Sequence, residues 1–513
     1  MKRPNILLLF TDMQRADTIR ALGNEVIQTP ALDRLVREGT SFTRCYSPSP
    51  VCVPARCSMH YGIYPQKTGV FDNEAMMPDN GRSLPALLAT AGYRTVAVGK
   101  CHFTPDAQAK RGFDERVTQE EIVNDYARDD YRSHLVRRGL NPAEAHGERG
   151  PMYYIPQPSR FQNGDHPTEW IADRSIEKIR ELEAEGSPWF MMSSFIHPHP
   201  PLTPPTPWTK LYPPDTMPAP FNPENRDELL TYVNHAQNRF KWRDNGRDRN
   251  LERMIQSYYY ATISYVDYQI GRMLRELEDR GILDDTLILF SSDHGEYLGD
   301  YGCYGKRSMH DASARVPFIV RQPGVFPADK RIDEPTSLVD VLPTMLAAAG
   351  AEADDCDGVA LQTVATGRSD RQFVYSQFGK GRRAIYLIAS VEWKYIYSAG
   401  DGKELLFARS DVPAEGVNRI EDASAEAAHR ELKAALLQYL HSGGDDEAVE
   451  ADETALRWRD HPPLNMDYLR SDPDAGLLYQ DEAAGLPENI RGYAIPRQPG
   501  AAAKVNPLNS GPV

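Results

Sequence analysis

Short apolar runs bounded by turn residues recur along the chain: "NILLLF" at 5–10, "YRTVAVG" at 93–99, "WFMMSSFI" at 189–196, "DTLILFSS" at 285–292 and "VPFIV" at 316–320. Runs of this length without polar alternation are the pattern of parallel strands buried on both faces. Between them, apolar positions fall at helical spacing. "TPALDRLVREG" and "SLPALLATAG" each carry an N-cap residue, a proline in the first turn and a closing glycine, and "SYYYATISYVDYQIGRMLRELEDRG" is a longer amphipathic helix. Strands alternating with helices predict an α/β fold, with a large, mixed but mostly parallel central sheet between helices.

The pattern changes after "SLVDVLPTMLAAAG". The stretch "IYLIASVEWKYIYSAGDGKELLFA" at 385–408 reads as a hairpin turned at "GDG", and "ASAEAAHRELKAALLQYLHSGG" reads as a helix. Together they predict a small C-terminal α+β subdomain over 366–445, packed on a main domain over 1–365. From 446 to 513 the chain turns acidic and then rich in Pro, Gly and Ala. That tail reads either as a frayed end or as an arm lying on a neighbouring subunit of a homo-oligomer. Two polar stretches, 104–170 and 203–250, interrupt the strand rhythm and carry Tyr153, Tyr154, Trp170 and Trp242. Long insertions on an α/β scaffold shape its pocket.

A formal net charge of −15 argues against a nucleic-acid partner, which needs a basic face. It also requires that cations be gathered locally if the substrate is an anion. The opening "MKRPNILLLFTD" is too short in its apolar run for a signal peptide and ends at an aspartate, and no later run reaches the length of a membrane span. The six cysteines are too few for a disulfide framework. The expectation is a cytoplasmic protein with reduced thiols and no membrane contact.

Function in open α/β sheets collects beyond the carboxyl ends of the strands. Here those ends carry Asp12, then Lys100 and His102, then His197 and His199, then Asp293 and His294. Asp12, Asp293 and His294 form a candidate site for a divalent cation: carboxylates suit Ca²⁺, Mg²⁺ or Mn²⁺, and an imidazole shifts the preference toward Mn²⁺ or Zn²⁺. Arg56, Lys100 and Lys306 would supply the positive field that an anionic substrate needs.

One further segment decides among chemistries. In "PSPVCVPARCSMHYG", the piece "CVPAR" resembles the C-x-P-x-R signature of the sulfatases, whose cysteine is converted after synthesis to formylglycine. "TDMQRAD" is similar to that family's first metal segment, "GKCH" to its Lys-x-His segment and "PHPP" to its histidine segment. "SDHGEYLGDYGCYGKRSMHDASARVP" is similar to its second metal segment with the following lysine. The order of these pieces identifies the chain as resembling a type I sulfatase of the alkaline phosphatase superfamily, with an alkaline-phosphatase-like sheet. The resemblance implies hydrolysis of a sulfate monoester of a sugar, choline or an aryl alcohol. A thiol is a poor choice for this reaction, because the thiosulfate it would form offers no easy second step, whereas one oxygen of an aldehyde hydrate attacks sulfur and the other later expels sulfate.

By the same resemblance, Cys52 is the formylglycine precursor and a fourth metal ligand beside Asp12, Asp293 and His294, with Ca²⁺ the first choice of cation. A formylglycine-generating enzyme is then a partner during maturation. Arg56 would hold the modified residue, and Lys100 and His102 would bind it and the sulfate, His102 acting as base. His199 and Lys306 would assist the leaving oxygen, with His199 as general acid. Asn73 would lie near the sulfate, and His197 is read as structural. Cys57, Cys101 and Cys303 are read as buried, inert thiols.

Three departures from the family pattern bear on the site. Met13 stands where most relatives have Asp or Gln, and a thioether is a poor ligand for a hard cation. His294 replaces the more usual Asn, and His60-Tyr61-Gly62 replaces Leu-Thr-Gly, which suggests an altered pocket wall. Phosphonate monoester hydrolases share the cysteine signature and an Asp-His metal pair and form the alternative reading, against which the Lys-x-His segment argues. A non-catalytic binding relative is a further alternative, against which the retained cations and histidines argue.

Overall fold

The computed structural model describes residues 3–149, 153–241, 248–451 and 455–464. Eight strands form the central sheet: β1 (Asn5–Asp12), β2 (Thr40–Phe42), β3 (Arg94–Gly99), β4 (Glu115–Thr118), β5 (Trp189–Pro198), β6 (Thr286–Ser292), β7 (Phe318–Arg321) and β8 (Lys330–Ile332). Their spatial order is β8-β2-β7-β6-β1-β5-β3-β4. All neighbours are parallel except at β7, which runs antiparallel to both β2 and β6. The mixed, mostly parallel sheet predicted from the apolar runs is therefore present.

Alternation along β1 builds the two layers. Ile6, Leu8 and Phe10 face one core, shared with α2 (Cys52–Tyr61), α3 (Leu84–Thr90) and α6 (Val341–Ala349). Leu7 and Leu9 face the other, covered by α1 (Pro30–Glu38), α4 (Pro167–Glu185) and α5 (Arg249–Asp279). With helices on both faces, every central strand is buried through its length, which is why its sequence reads as an unbroken apolar run.

Two element readings are corrected. "VPFIV" is not one parallel strand: Arg315–Val316 pairs with Cys45–Tyr46 in a separate three-stranded sheet, and only Phe318–Arg321 joins the central sheet, antiparallel. Pro317, lacking an N–H, separates the two pieces. The stretch 385–408 holds three strands rather than a two-stranded hairpin. β10 (Ile385–Ala389), β11 (Trp393–Ser398) and β12 (Lys403–Ala408) follow β9 (Val374–Phe378) in one antiparallel sheet. The second turn lies at the predicted "GDG"; the first forms where Ser390 Oγ accepts the Trp393 N–H at 3.0 Å.

α7 (Glu426–Ser442) covers one face of this small sheet through Leu432, Leu436 and Leu440 against Tyr386, Ile388 and Leu406. The other face, with Ile385, Leu387 and Leu405, packs on Tyr46, Val51 and Tyr297. Lys394 and Arg409 of this sheet region form ion pairs with Asp311 across that contact. Trp242 and the tail beyond residue 464 lie outside the described residues. Among the described residues no helix is long and apolar enough to cross a membrane.

Candidate active site

Strand register assembles the site. In the β1–β6 pair Thr11 lies opposite Ser292, so the next residues, Asp12 and Asp293, emerge side by side at the carboxyl edge of the sheet. β5 flanks β1 on its other side, with Pro198 opposite Asp12, which brings His197 and His199 to the same edge. β3 ends at Gly99, where a Cβ would sit 2.1 Å from Ser194 O and φ is +95°; only glycine fits, and the tight approach sets Lys100 beside the β5 end.

Cys52 opens α2, and its helix N-terminus projects the thiol toward these carboxylates. Ser47, in the preceding loop, donates to Asp293 O at 2.6 Å and ties that loop to β6. Gly62 closes α2 at φ +67°, its N–H donating to Ser58 O at 2.8 Å. Cys52 Sγ lies 3.3 Å from His294 Nε2 and 3.7 Å from Asp12 Oδ1, and Lys306 Nζ donates to it at 2.8 Å. Ligand atoms of Asp12, Cys52, Asp293 and His294 all lie within 4.8 Å of one another, and all four residues are buried.

Arg56, one turn along α2, is fully buried and spans the pair of carboxylates: Nε donates to Asp293 Oδ2 at 2.9 Å and Nη2 to Asp12 Oδ2 at 3.3 Å. Its Nη1 donates to Lys100 O at 2.8 Å and Ser194 Oγ at 3.0 Å, so each arm of the guanidinium is held. Lys100 Nζ bridges Asp12 Oδ2 and Glu121 Oε2, both at 2.6 Å. Burial pushes the Asp12 carboxyl up, but Lys100, His199, Lys306 and Arg56 outweigh it and hold Asp12 well below the usual carboxylate range. Burial and Asp12 likewise push the Cys52 thiol up, and Lys306, Lys100 and His294 overcome them, so the thiol lies well below its ordinary value.

His199 directs Nε2 to Tyr153 OH at 3.4 Å and Nδ1 to Pro200 O at 2.7 Å, and Glu121 Oε1 lies 3.7 Å from its Nδ1. Burial, opposed by Glu121 and reinforced by Lys306, takes this ring down to about 3, so it is neutral near pH 7. His102 sits at φ +56°, its N–H donating to the Glu120 carboxylate at 3.2 Å; its Nδ1 is buried without a hydrogen-bond partner. His197 is bonded on both ring nitrogens, to Thr168 Oγ1 at 2.7 Å and Thr203 Oγ1 at 3.2 Å, and stands apart from the cation cluster. Asn73 Oδ1 accepts the Val53 N–H at 3.0 Å, one residue beyond Cys52.

Met13 takes part through its backbone alone: its N–H donates to Asp293 Oδ1 at 3.0 Å and its carbonyl accepts from Tyr259 OH at 2.7 Å. His60 does not reach the chamber. It is buried behind α2 against Phe103 and Phe113, with ring centroids 5.3 and 6.1 Å away, so the altered triplet changes the core under the helix and not the pocket wall. Burial lifts Cys57, Cys101 and Cys303 to about 12, 11 and 12, which makes them neutral thiols.

Several site residues escape the sequence reading. Glu120 and Glu121 follow β4, whose four residues "ERVT" include no apolar run; the strand-end rule would have found them had the strand been seen. Arg149 forms an ion pair with Glu121 at 2.8 Å, and only the folded insertion brings it there. Glu296 is buried, accepting from Tyr154 OH at 2.8 Å and from Gly305 N–H at 2.6 Å, and fixes the loop that carries Lys306.

The sulfatase family matches residues 4–351, and the family described as "N-sulphoglucosamine sulphohydrolase, C-terminal" matches residues 299–442. The chain belongs to the sulfatase family. It is 28% identical to an arylsulfatase of Clostridium perfringens, over 82% of this chain and 90% of that protein. It is 29% identical to a choline-sulfatase of Rhizobium meliloti, over 84% of this chain and 86% of that protein. In fold it is similar to the phosphonate monoester hydrolase of Silicibacter pomeroyi, with a TM-score of 0.73, 24% identity and coverage of 89% of this chain and 99% of that one. This sulfatase is a hydrolase of the alkaline phosphatase superfamily, and its chemistry is the hydrolysis of sulfate esters.

Proposed function

We propose that this sulfatase cleaves a small sulfate monoester with a formylglycine formed from Cys52 and one divalent cation. The observation that carries the reading is the seat of Cys52: its Sγ, which marks the place of the formylglycine oxygens, meets Asp12, His294 and Lys306 within 3.7 Å. The donor set fits a cation. Two carboxylates, an imidazole and the residue-52 side chain converge, and His294 turns Nδ1 to Gly295 O at 3.0 Å, which leaves Nε2 to face the cluster. Ca²⁺ is our first choice over Mn²⁺, Mg²⁺ and Zn²⁺ because oxygen donors dominate. The cation would supply Lewis-acid polarisation and favour ionisation of an oxygen beside it. A hydrated aldehyde would supply the attacking oxygen and a second hydroxyl for release of sulfate.

The chain's own residues then divide the work. Arg56 fixes both metal carboxylates, while Lys100 and Lys306 offset the charge that builds on the sulfuryl oxygens. His102 takes the proton for the release step. His199 protonates the leaving oxygen; burial keeps its ring neutral, and an adjacent anionic ester raises it toward protonation.

Peptide mass analysis around Cys52 in aerobically expressed protein should find formylglycine, and Cys52→Ala should lower sulfate ester turnover by roughly 10³-fold or more. A fully converted preparation that loses no activity on this exchange would falsify the proposal. Dialysis against chelator should lower both activity and Tm, with Ca²⁺ restoring them; a cation at about 100 times its Kd stabilises by roughly 2.7 kcal/mol. Unchanged Tm and activity in demonstrably metal-free protein would remove the cation from the mechanism. His294 in the cation cluster also favours a second reading, phosphonate monoester or phosphodiester hydrolysis. Faster turnover of phenyl phosphonate monoesters than of phenyl sulfate would place that reading first.

A further inference from the structure

Arg307 follows Lys306 in the chain and is left unused by the chemistry above. It is 4% exposed, against 3% for Lys306 and 1% for Cys52. Its N–H donates to Pro50 O at 2.9 Å, two residues before Cys52, which fixes it to the wall from which α2 starts. Its φ of +81° lies in the left-handed region that favours glycine, yet the position holds a large cationic side chain. The guanidinium lies over the Phe378 ring at 5.8 Å and donates from Nη1 to Gln237 Oε1 at 2.9 Å.

No carboxylate pairs with it within 4.0 Å among the described residues, and Nε is buried without a protein partner. Burial works against its charge, and Cys52, Tyr153, Tyr154 and Asp72 favour it. Of these Asp72 is engaged in its own turn, its Oδ1 accepting the N–H groups of Glu74 and Ala75 at 3.0 Å each. The other cations of the site are committed. Arg56 holds Asp12 and Asp293, Lys100 holds Asp12 and Glu121, Arg149 holds Glu121, and Lys306 lies on Cys52. Arg307 thus brings a buried charge to the chamber with no carboxylate paired to it among the described residues, and burying such a charge is costly unless something anionic meets it.

We propose that Arg307 binds the alcohol half of the substrate, and that this half carries an anionic group, a carboxylate or a second sulfate, besides the scissile sulfate. Lys306 serves the reacting end, and Arg307 stands one residue further along the same loop, about 3.8 Å between Cα atoms. Its Nε and Nη2 edge offers the two-pronged geometry that carboxylate and sulfate oxygens accept. A cationic alcohol such as choline would bring two positive charges together where the dielectric is low. This inference rests on the sulfate-ester reading and narrows it.

The test compares para-carboxyphenyl sulfate with phenyl sulfate, in wild type, Arg307→Gln and Arg307→Lys. Wild type should prefer the carboxylated ester. The selectivity, taken as the ratio of the two kcat/KM values, should fall about tenfold or more in Arg307→Gln, mainly through KM, and be partly kept in Arg307→Lys. An unchanged ratio in a folded Arg307→Gln protein overturns the proposal, and so does an equal loss on both esters, which would put Arg307 on the scissile sulfate. If Arg307→Gln does not fold, a ratio in Arg307→Lys identical to wild type on a wild type without preference has the same force. Should wild type cleave neither of these esters, nor sulfated sugars, nor choline sulfate, the sulfate-ester reading itself has failed. Calorimetric binding of the two esters to Cys52→Ala, with and without Arg307→Gln, then decides separately: a preference for the dianion lost with Arg307 supports the assignment, and no preference overturns it.

Discussion

Glu121 joins cations that would otherwise face one another. Its two oxygens take Lys100 at 2.6 Å and Arg149 at 2.8 Å, and burial, which opposes its charge, is outweighed by His199, Lys100 and Arg149, so the carboxyl is held well below its usual range. Glu121→Gln keeps the shape and removes the charge, leaving Arg149 unpaired and Lys100 dependent on Asp12. Breaking a buried ion pair from one side costs roughly 3–5 kcal/mol. Urea unfolding of Glu121→Gln should show a loss of that order together with reduced kcat/KM for sulfate esters. Stability within about 0.5 kcal/mol of wild type, the range of ordinary surface substitutions, would show that this carboxylate is dispensable.

Among the elements, α2 depends on a cap that comes from outside it. Its N-cap residue, Val51, has no side-chain acceptor, and Asn73 Oδ1 instead takes the Val53 N–H at 3.0 Å. Asn73→Ala should therefore cost about 1 kcal/mol, as loss of an N-cap does. Asn73→Asp keeps the acceptor and removes the Nδ2 donor. If Asn73 also contacts sulfate, Asn73→Asp should regain the stability by thermal denaturation while its KM for a sulfate ester rises; equal KM values in wild type and Asn73→Asp would leave Asn73 as a cap alone. The cap itself was not legible in the sequence, where "VFDNEA" reads as a turn. What was legible follows from burial: β1, β3, β5 and β6 are apolar throughout because helices cover both faces, and their ends locate Asp12, Lys100, His199 and Asp293. β4 is a partly exposed edge strand, so its residues carry no such signal and Glu121 stays hidden with it. Arg149 and Tyr153 lie in an insertion whose path depends on tertiary contacts, and neither periodicity nor spacing places them.

Across the whole molecule, buried histidines and buried carboxyls pull the response to acid in opposite directions. His60, His199 and His310 are taken down by burial to about 3 and His166 to about 4, while burial holds His146 and His197 well below the ordinary range. A ring whose folded value is depressed favours the folded state above the unfolded value of about 6.5, and that stability is lost as pH falls toward the folded value. Each such histidine withdraws roughly 2 kcal/mol between pH 6.5 and 5, at about 1.4 kcal/mol per unit. Asp267 runs the other way: burial lifts it to about 7 despite the N–H groups of Ala31 and Leu32, so its contribution is present at low pH and lost as pH rises. One carboxyl offsets about one imidazole, and Asp129, lifted by burial to about 6, offsets part of another. Burial also raises Asp293, Glu296, Asp300, Glu415 and Asp445, so the net slope mixes both signs and the share of the histidines is read by removing one ring at a time. Between pH 7 and pH 5, urea unfolding of His166→Gln and of His197→Gln should each show stability shifting less toward a loss than wild type does, by roughly 2 kcal/mol, because its own imidazole is gone. A pH dependence in these variants identical to that of wild type would mean that the two rings are protonated in the folded protein, and that their packing, with centroids 5.6 Å apart, is not that of neutral imidazoles.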